Sequence, residues 1–348
     1  MQSANTGVLL FLHRGVGERG PPTRRGPPSC GPCGSRDGGA MAHITVFGAA
    51  PGNPDPRAHR RLADAARRGT LIRLTAGRYV DRDAFEAASA AERHRARVEA
   101  VAPNIHPALV ISHESAVAML GLPWLGEFPE HVVATDPRRA TGQRRAHLQK
   151  VGGAGRPIAC ASVGGLPVTT LVVTGVDVAL RASFRTAVVV LDAVLARGVA
   201  QEALLAELRS REPRPRASTR ARRAIEFADA AADSPGESVA RLCWAEAGFP
   251  APVLQQEFRD AAGLIGRVDF WFEDAGVVVE FDGLVKYRDR TMRAGRSPER
   301  VVIDEKLRED RLRAHRHVRR VVRVTWPDVE PGGNGPVALE AAGVHRVR

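Results

Sequence analysis

The sequence has few cysteines and no apolar run that approaches the length of a membrane span. Its 348 residues include four cysteines, too few for the disulfide framework of a small secreted domain. Only Cys30 and Cys33 lie close together, and one CxxC pair supplies half of the four ligands of a structural zinc site. A bilayer span needs about 18 to 20 consecutive apolar residues, and the short apolar run at 8–12 lacks the basic leader of a signal peptide. We therefore expect a cytoplasmic protein that is not anchored in a membrane.

The chain carries a large excess of positive charge. Lys plus Arg number 51 and Asp plus Glu number 39, which gives a formal net charge of +12. Such an excess is typical of proteins that bind nucleic acid, although an anionic membrane surface would also attract it. The length favours two or three domains, because most domains hold about 100 to 200 residues.

Composition divides the chain into six segments. Residues 1–40 are rich in Gly, Pro, Arg and Ser, which predicts a disordered tail. A GxGxxG string at 15–20 is followed at once by two prolines, so it is not a dinucleotide-binding fingerprint. Folded sequence begins after Met41, an alternative start of the protein. The other predicted segments are a winged-helix-like domain at 41–100, an α/β middle domain at 101–208, an Arg/Pro-rich linker at 209–224, a C-terminal domain at 225–330 and a tail at 331–348.

Arginines alternate with apolar residues in a predicted helix and hairpin near the N-terminus. Residues 57–69 show helical spacing and end at a glycine, while 71–74 and 77–80 form two β-rich runs around a turn. A basic helix followed by a basic β-wing is typical of a winged helix-turn-helix, which binds the major groove and phosphates. A small helix-hairpin cap with solvated arginines fits the pattern equally well. In the first interpretation the DNA contacts are Arg60, Arg61, Arg67, Arg68, Arg73 and Arg78.

The middle region is the least charged part of the chain and predicts an α/β core. Residues 132–135 and 171–173 have the composition of strands. A Thr-x-x-Asp motif at 174–177 predicts the cap of a helix over 176–197. His113 has no partner at the spacing of a catalytic triad, so we interpret it as a residue at a helix start.

Two β-rich runs in the C-terminal third, 267–272 and 277–283, flank a short turn and predict an antiparallel hairpin. If the residues beside the turn pair, Asp269 lies directly opposite Glu280. Because side chains alternate across a sheet, one face then carries Arg267, Asp269, Glu280 and Asp282. The other face carries Val268, Phe270, Phe272, Val277, Val279 and Phe281.

Opposed carboxylates call for a compensating charge, because they destabilise a strand pair by some tenths of a kcal/mol up to about 1. A Mg²⁺ or Mn²⁺ ion would supply it, since hard divalent cations bind carboxylate, water and phosphate oxygens. The predicted metal ligands are Asp269, Glu280 and Asp282, and the ion could activate water at a phosphodiester. In the alternative, Arg267, Lys286 or another cation of the chain neutralises the acids.

Two predicted helices flank this hairpin. Glu237 lies in the first turn of a helix that begins with Ser and Pro, and its carboxylate could reach the hairpin. The helix macrodipole alone also favours Glu at that position. A charged helix over 300–314 is predicted to face inward with Ile303, Leu307 and Ala314, and outward with Lys306, Asp310 and Arg313. A basic helix there would attract phosphate, so Lys306 is a predicted nucleic-acid contact.

Five motifs in the C-terminal third follow one another in a fairly specific order: SPGE at 234–237, GRVD at 266–269, VEFDGLVK at 279–286, EKLRED at 305–310 and VVRVTW at 321–326. This order resembles a domain related to the very-short-patch repair endonucleases, within the PD-(D/E)XK nuclease-like superfamily. The resemblance implies an endonuclease-like domain at 225–330, with a catalytic site lined by Glu237, Asp269, Glu280, Asp282 and Lys286. Asp282 stands where the superfamily usually has lysine, so the cationic role falls to Lys286 or Lys306.

The N-terminal half of the chain is similar to the AbiEi-type antitoxin family of actinobacteria, which carries an N-terminal winged helix, and the helix and wing from about Arg57 to Val80 match best. Together the two resemblances imply an α/β (α+β) protein with a degenerate winged helix, an α/β middle region and a restriction-endonuclease-like C-terminal domain. The predicted function is Mg²⁺-dependent hydrolysis of phosphodiester bonds in DNA. The alternatives are an antitoxin-like transcriptional regulator with a toxin partner and an inactive nuclease-like fold, and a structural DNA-binding module.

Overall fold

The computed structural model of the protein describes residues 44–48, 56–211, 216–283 and 298–347. Within these ranges the protein is a mixed α/β structure with twelve α-helices and three β-sheets, which confirms the predicted fold class. The predicted tail at 1–40, Met41 and Lys286 lie outside the described residues. No helix in the described part of the chain has the length and apolar character needed to cross a bilayer.

The described residues of the chain divide into two compact units. The first unit holds the described residues up to Gly121 together with 126–174, and the second holds 122–125 and the described residues from Gly175 onward. The predicted linker at 209–224 contains the start of a helix in which Ala221 and Ile225 are fully buried. The predicted tail at 331–348 contains another helix, with a fully buried Leu339. The described residues of both segments therefore belong in part to helices with buried side chains.

A helix and three strands form the N-terminal part of the first unit. Helix α1 (Pro56–Arg67) is followed by Gly69, whose φ of 84° ends the helix. The hairpin of β2 (Leu71–Thr75) and β3 (Arg78–Asp81) comes next, and β1 (Phe47–Gly48) pairs with β3. The strand order is β1-β3-β2. The predicted helix and hairpin are confirmed.

The rest of the first unit is built around a six-stranded sheet with the order β6-β7-β5-β4-β9-β8. Helices α2 (Arg82–Ala87) and α3 (Ala90–Val101) and a 3-10 turn (Ala102–Asn104) precede it. The predicted strand at 132–135 is confirmed, and His113 starts a helix as expected. The elements are β4 (Val110–Ile111), α4 (His113–Met119), β5 (Val132–Asp136), β6 (Gln143–Arg145), β7 (Leu148–Gly152), β8 (Cys160–Val163) and β9 (Leu166–Thr169).

Two predictions at the end of the middle region are wrong. Residues 171–173 begin helix α5 (Leu171–Arg181) instead of forming a strand. The single helix predicted over 176–197 is interrupted, because Ser183 caps a new helix, α6 (Phe184–Ala196), by accepting the N–H of its third residue. A short apolar run has the same composition in a strand and in a buried helix, which explains the first error.

The second unit packs helices against a four-stranded sheet of order β10-β11-β12-β13. Its strand pairs are antiparallel except for β12–β13, a parallel pair that α10 connects. Phe272 pairs with Val277, which confirms the predicted hairpin register. The elements are α7 (Gln201–Arg209), α8 (Ser218–Phe227), α9 (Pro235–Glu246), β10 (Val253–Asp260), β11 (Gly263–Phe272), β12 (Val277–Phe281), α10 (Pro298–Ala314), β13 (Arg320–Val324), α11 (Trp326–Val329) and α12 (Gly335–Ala342).

Both faces of the β11–β12 hairpin are covered near its turn. On one face, the Trp244 ring of α9 lies edge-on to Phe270 with a centroid separation of 4.7 Å. On the other face, Leu312 of α10 packs with Trp271 and Val278. Val268 packs in this second cluster with Trp271 and Leu312, so the predicted face that carried Val268 together with Phe270 and Phe272 is wrong. Asp269 and Glu280 also meet different helices, because Asp269 raises the pKa of Glu237 on α9 and Glu280 pairs with Arg308 of α10.

The predicted inward side of α10 is wrong. Ile303 is 49% exposed and Leu307 is 56% exposed, and Ala314 is exposed as well. The predicted outward residues, Lys306, Asp310 and Arg313, are exposed. Among the side chains of α10 that the structure describes, Leu312 is a buried apolar contact, while Glu305, Arg308 and Glu309 form ion pairs with residues of the sheet. Apolar spacing is a weak guide in a helix whose inward residues are mainly charged.

Candidate acidic site and nucleic-acid interface

Glu237 lies in the first turn of α9 and is only 5% exposed. Ser234 caps the helix by accepting the Glu237 N–H, and Pro235 occupies the first turn. Glu237 Oε1 accepts the Ser234 hydroxyl at 2.7 Å, and Oε2 accepts the Asp233 N–H at 3.0 Å and the Gln255 amide at 2.8 Å. Both carboxylate oxygens are therefore held by donors of the chain itself.

Gln255 is a part of this site that the sequence did not indicate. The paired residues on either side of it place it opposite Asp269 in the β10–β11 ladder. Its φ of 53° falls in the left-handed region, which is uncommon for a residue with a side chain. A polar residue in a strand gives no periodic signal of such a local distortion, so Gln255 could not be found from the pattern.

Asp269 adjoins Glu237 from β11. Its Oδ2 accepts the Phe281 N–H at 2.8 Å. Burial raises the pKa of Glu237, and the negative charge of Asp269 raises that pKa further. The structure thus places these two predicted residues close enough for their charges to interact.

Glu280 is paired with an arginine of α10. Arg308 Nη2 donates to Glu280 Oε1 at 2.9 Å and to the Arg267 carbonyl oxygen at 2.6 Å. Arg267, which the sequence offered as a cation for these acids, forms an ion pair with Asp233 instead. The partner of Glu280 therefore comes from the helix above the sheet.

Asp282 lies in a second group of charges around Arg323 of β13. Arg323 Nη1 is 3.8 Å from Asp282 Oδ2, and its Nη2 is 2.8 Å from Glu309 Oε2 and 3.4 Å from Glu305 Oε1. The parallel register also sets Arg323 beside Glu280. A pocket of about 80 Å³ is lined by the charged residues Glu280, Asp282, Glu305, Arg308, Glu309 and Arg323.

Gly266 makes room for the Arg308 side chain. A Cβ atom at this position would lie 2.5 Å from Arg308 Nε, and the φ of 155° at Gly266 is one that other residues rarely adopt. Arg308 thus crosses β11 over a position that only glycine suits. The GRVD motif begins with this residue.

A Mg²⁺ or Mn²⁺ ion does not fit the acidic cluster, formed by Glu237, Asp269, Glu280 and Asp282, in this arrangement. Carboxylates are suitable ligands for these ions. However, among the described residues no three His, Cys, Asp or Glu side chains are grouped so that they could hold a metal ion. Glu237 is held by three hydrogen-bond donors, and a guanidinium group holds Glu280. The geometry corresponds to neutralisation by cations of the chain, with Arg308 and Arg323 in that role.

Only one of the two predicted lysines, Lys306, belongs to the described residues. Lys306 is exposed on α10, and Lys286 lies outside the described residues. The cations next to Glu280 and Asp282 are instead arginines, Arg308 and Arg323. Arg308 belongs to the EKLRED motif. The sequence placed Lys306 and Asp310 of this motif on the outer side of the helix and gave no side for Arg308.

A larger pocket, of about 400 Å³, lies at the turn end of the same sheet. Its lining has both signs of charge and includes Glu257, Arg259, Glu273, His315 and Arg316. None of the predicted site residues belongs to its lining, so it is separate from the acidic cluster.

The predicted nucleic-acid side chains of the first unit lie on α1 and the β2–β3 hairpin. Arg67 pairs with Asp64, and Arg73 Nε donates to the Thr75 carbonyl at 3.2 Å. Arg78 is half-buried. The exposed predicted residues are Arg60, Arg61, Arg67, Arg68 and Arg73. These arginines give the helix and hairpin a basic surface.

The sequence is similar to proteins of Mycobacterium tuberculosis that have no described function. The uncharacterized proteins MT2308 and Rv2248, from two strains, are each 35% identical over 127 residues, which is 35% of this chain and 45% of each relative. The chain therefore spans less than half the length of these relatives. The crystal structure of the RV2827C protein from the same species matches 53% of this chain and 68% of that chain, at 14% identity and a TM-score of 0.32. No model of a known protein family matches the sequence.

Proposed function

We propose that this chain is a cytoplasmic DNA-binding protein of the antitoxin-like regulatory type, which binds through α1 and the β2–β3 hairpin. The supporting observation is the set of exposed arginines on a helix that leads into a β1-β3-β2 sheet. Such an arrangement suits a helix in the major groove and a wing on the phosphates. The formal charge of +12 favours the same partner. The resemblance to AbiEi-type antitoxins adds a toxin as a proposed second partner.

Fluorescence anisotropy with labelled duplexes tests this function. The probes are a fragment from upstream of the protein's own gene and a scrambled duplex of equal length, titrated over a series of salt concentrations. The variant is Arg60→Ala with Arg61→Ala, which removes two exposed charges from α1. A matched variant, Arg320→Ala with Arg346→Ala, removes two exposed charges from the second unit.

The wild type should bind the upstream fragment more tightly than the scrambled duplex, with affinity that falls steeply with salt. Loss of two phosphate contacts should lower the slope of log K against log salt by about 2 in the α1 variant. The matched variant should keep the wild-type slope. Equal losses in the two variants, or no preference for the upstream fragment, would contradict a regulator that uses α1.

The second candidate is the Mg²⁺- or Mn²⁺-dependent DNA endonuclease. The observation that favours it is the proximity of the buried Glu237 to Asp269, at the position of the motifs that resemble the nuclease-like superfamily. A metal ion would require Arg308 to leave Glu280, because the two would compete for the same carboxylate oxygen.

Cleavage assays separate the two candidates. Supercoiled plasmid and single-stranded DNA are incubated with the protein in Mg²⁺, in Mn²⁺ and in chelator, beside the double variant Asp269→Ala, Glu280→Ala. Metal-dependent nicking that the variant loses would establish the nuclease. Salt-sensitive binding by both proteins without cleavage supports the regulator.

A further inference from the structure

Two arginine side chains of the second unit lie beside carboxylates at and around the acidic cluster. Arg308 contacts Glu280, and Arg323 contacts Asp282, Glu305 and Glu309. Each of these four carboxylates therefore has a guanidinium group within 3.8 Å.

The position of Arg308 is fixed by more than its ion pair. Its Nη2 atom also donates to the main-chain carbonyl of Arg267, and its Nε passes over the position where Gly266 has no Cβ. A guanidinium group is planar and has several donors in fixed directions, so it can bridge a carboxylate and a carbonyl at once. The backbone of β11 is thus shaped around this side chain.

We propose that Arg308 and Arg323 take the place of a divalent cation at Glu280 and Asp282, so that the cluster is neutralised by the chain and excludes metal. Arg308 donates to Glu280 Oε1 at 2.9 Å and Arg323 lies 3.8 Å from Asp282 Oδ2, so an ion that used these two oxygens would have to displace the guanidinium groups. Mg²⁺ gives up its own waters reluctantly, which places it at a disadvantage against a preorganised guanidinium group. This inference concerns the second unit and does not depend on DNA binding by α1.

Thermal unfolding and calorimetric titration with Mn²⁺ alone test the exclusion. The wild type should show no saturable Mn²⁺ binding and no change in Tm in millimolar Mn²⁺. The double variant Arg308→Ala, Arg323→Ala leaves the carboxylates uncompensated, so Mn²⁺ should raise its Tm by about 3 °C or more through linkage of binding to folding. Adding Glu280→Gln to that variant should abolish the rise.

A matched variant removes the same charge without touching the cluster. Arg311 pairs with Asp260, and Arg316 donates to His317, so Arg311→Ala with Arg316→Ala spares Glu280 and Asp282. This variant should remain insensitive to Mn²⁺. Saturable binding of Mn²⁺ to the wild type that Glu280→Gln removes would overturn the proposal, whether or not the arginine variants fold.

Discussion

Two arginine–carboxylate pairs in the second unit have similar bond lengths and very different surroundings. Arg241 Nη2 lies 3.0 Å and 2.9 Å from the two oxygens of Asp192, and the side chains are 10% and 1% exposed. Arg308 makes one contact of 2.9 Å with Glu280, and these side chains are 33% and 19% exposed. The same chemistry therefore occurs both in the interior and at the candidate site.

The buried pair makes further contacts with residues at and just after the end of α8. Asp192 also accepts the Asp229 N–H at 2.8 Å, and Arg241 Nη1 donates to the Phe227 carbonyl at 2.6 Å. The Arg241 guanidinium lies over the Phe227 ring, 4.2 Å from its centroid. The pair thus links α6, α8 and α9, whereas water can reach Arg308 and Glu280. The first pair therefore joins three helices in the interior, whereas solvent screens the charges of the second pair.

The largest effect is expected from breaking the buried pair. Asp192→Ala leaves the Arg241 guanidinium buried without a counter-charge, which should lower the free energy of unfolding by about 3 to 5 kcal/mol. Urea unfolding at neutral pH measures this loss.

Replacing both partners is the control for that experiment. Asp192→Leu with Arg241→Met removes the charges together, and the stability should return most of the way to the wild-type value. A loss below about 1 kcal/mol in Asp192→Ala would mean that the buried pair behaves like an exposed one.

A buried histidine extends the comparison to a polar group that is not paired with a carboxylate. His94 in the first unit is fully buried, and its Nε2 lies 2.7 Å from Ser115 Oγ. Burial, helped by the positive charge of Arg97, lowers the pKa of His94 from 6.5 to about 4. Between pH 6.5 and about pH 4, His94 is therefore mainly protonated in the unfolded chain and mainly neutral in the folded chain.

Stability should consequently fall as the pH drops from 6.5 towards 4. Between pH 7 and pH 4.5 the wild type should lose about 2 to 3 kcal/mol more than His94→Gln, which cannot take up that proton. Urea titrations at the two pH values measure the difference, and His59→Gln, at an exposed position, is the matched control. Parallel losses in the wild type and His94→Gln would contradict the shifted pKa.

The sequence predicted the parts of this fold that have a strong local signal. Three predicted features are found: the cap at Ser234, the register of Phe272 with Val277, and the β2–β3 hairpin. They were predicted from capping residues, alternation and turn chemistry. Ser183 divides the long predicted helix because it caps a new helix. Apolar residues continue on both sides of Ser183, so apolar spacing did not indicate a helix boundary there.

The candidate site was predictable only in its acids. Strand alternation predicted Asp269, Glu280 and Asp282, and it did not predict the arginines beside Glu280 and Asp282. Arg308 and Arg323 come from α10 and β13, and their contacts depend on tertiary packing that a local pattern does not contain. The same limit explains why Gln255 was not identified.

The smallest effect is expected from breaking the half-exposed pair. Arg308→Met keeps the length of the side chain and removes its charge, and it should change the free energy of unfolding by about 1 kcal/mol or less, because a solvated ion pair contributes little. Urea unfolding beside Asp192→Ala measures the contrast directly. If Arg308→Met cost as much as Asp192→Ala, Arg308 would be a structural residue like Arg241. A small cost together with a new response to Mn²⁺ means that Arg308 serves the acidic cluster more than the stability of the fold.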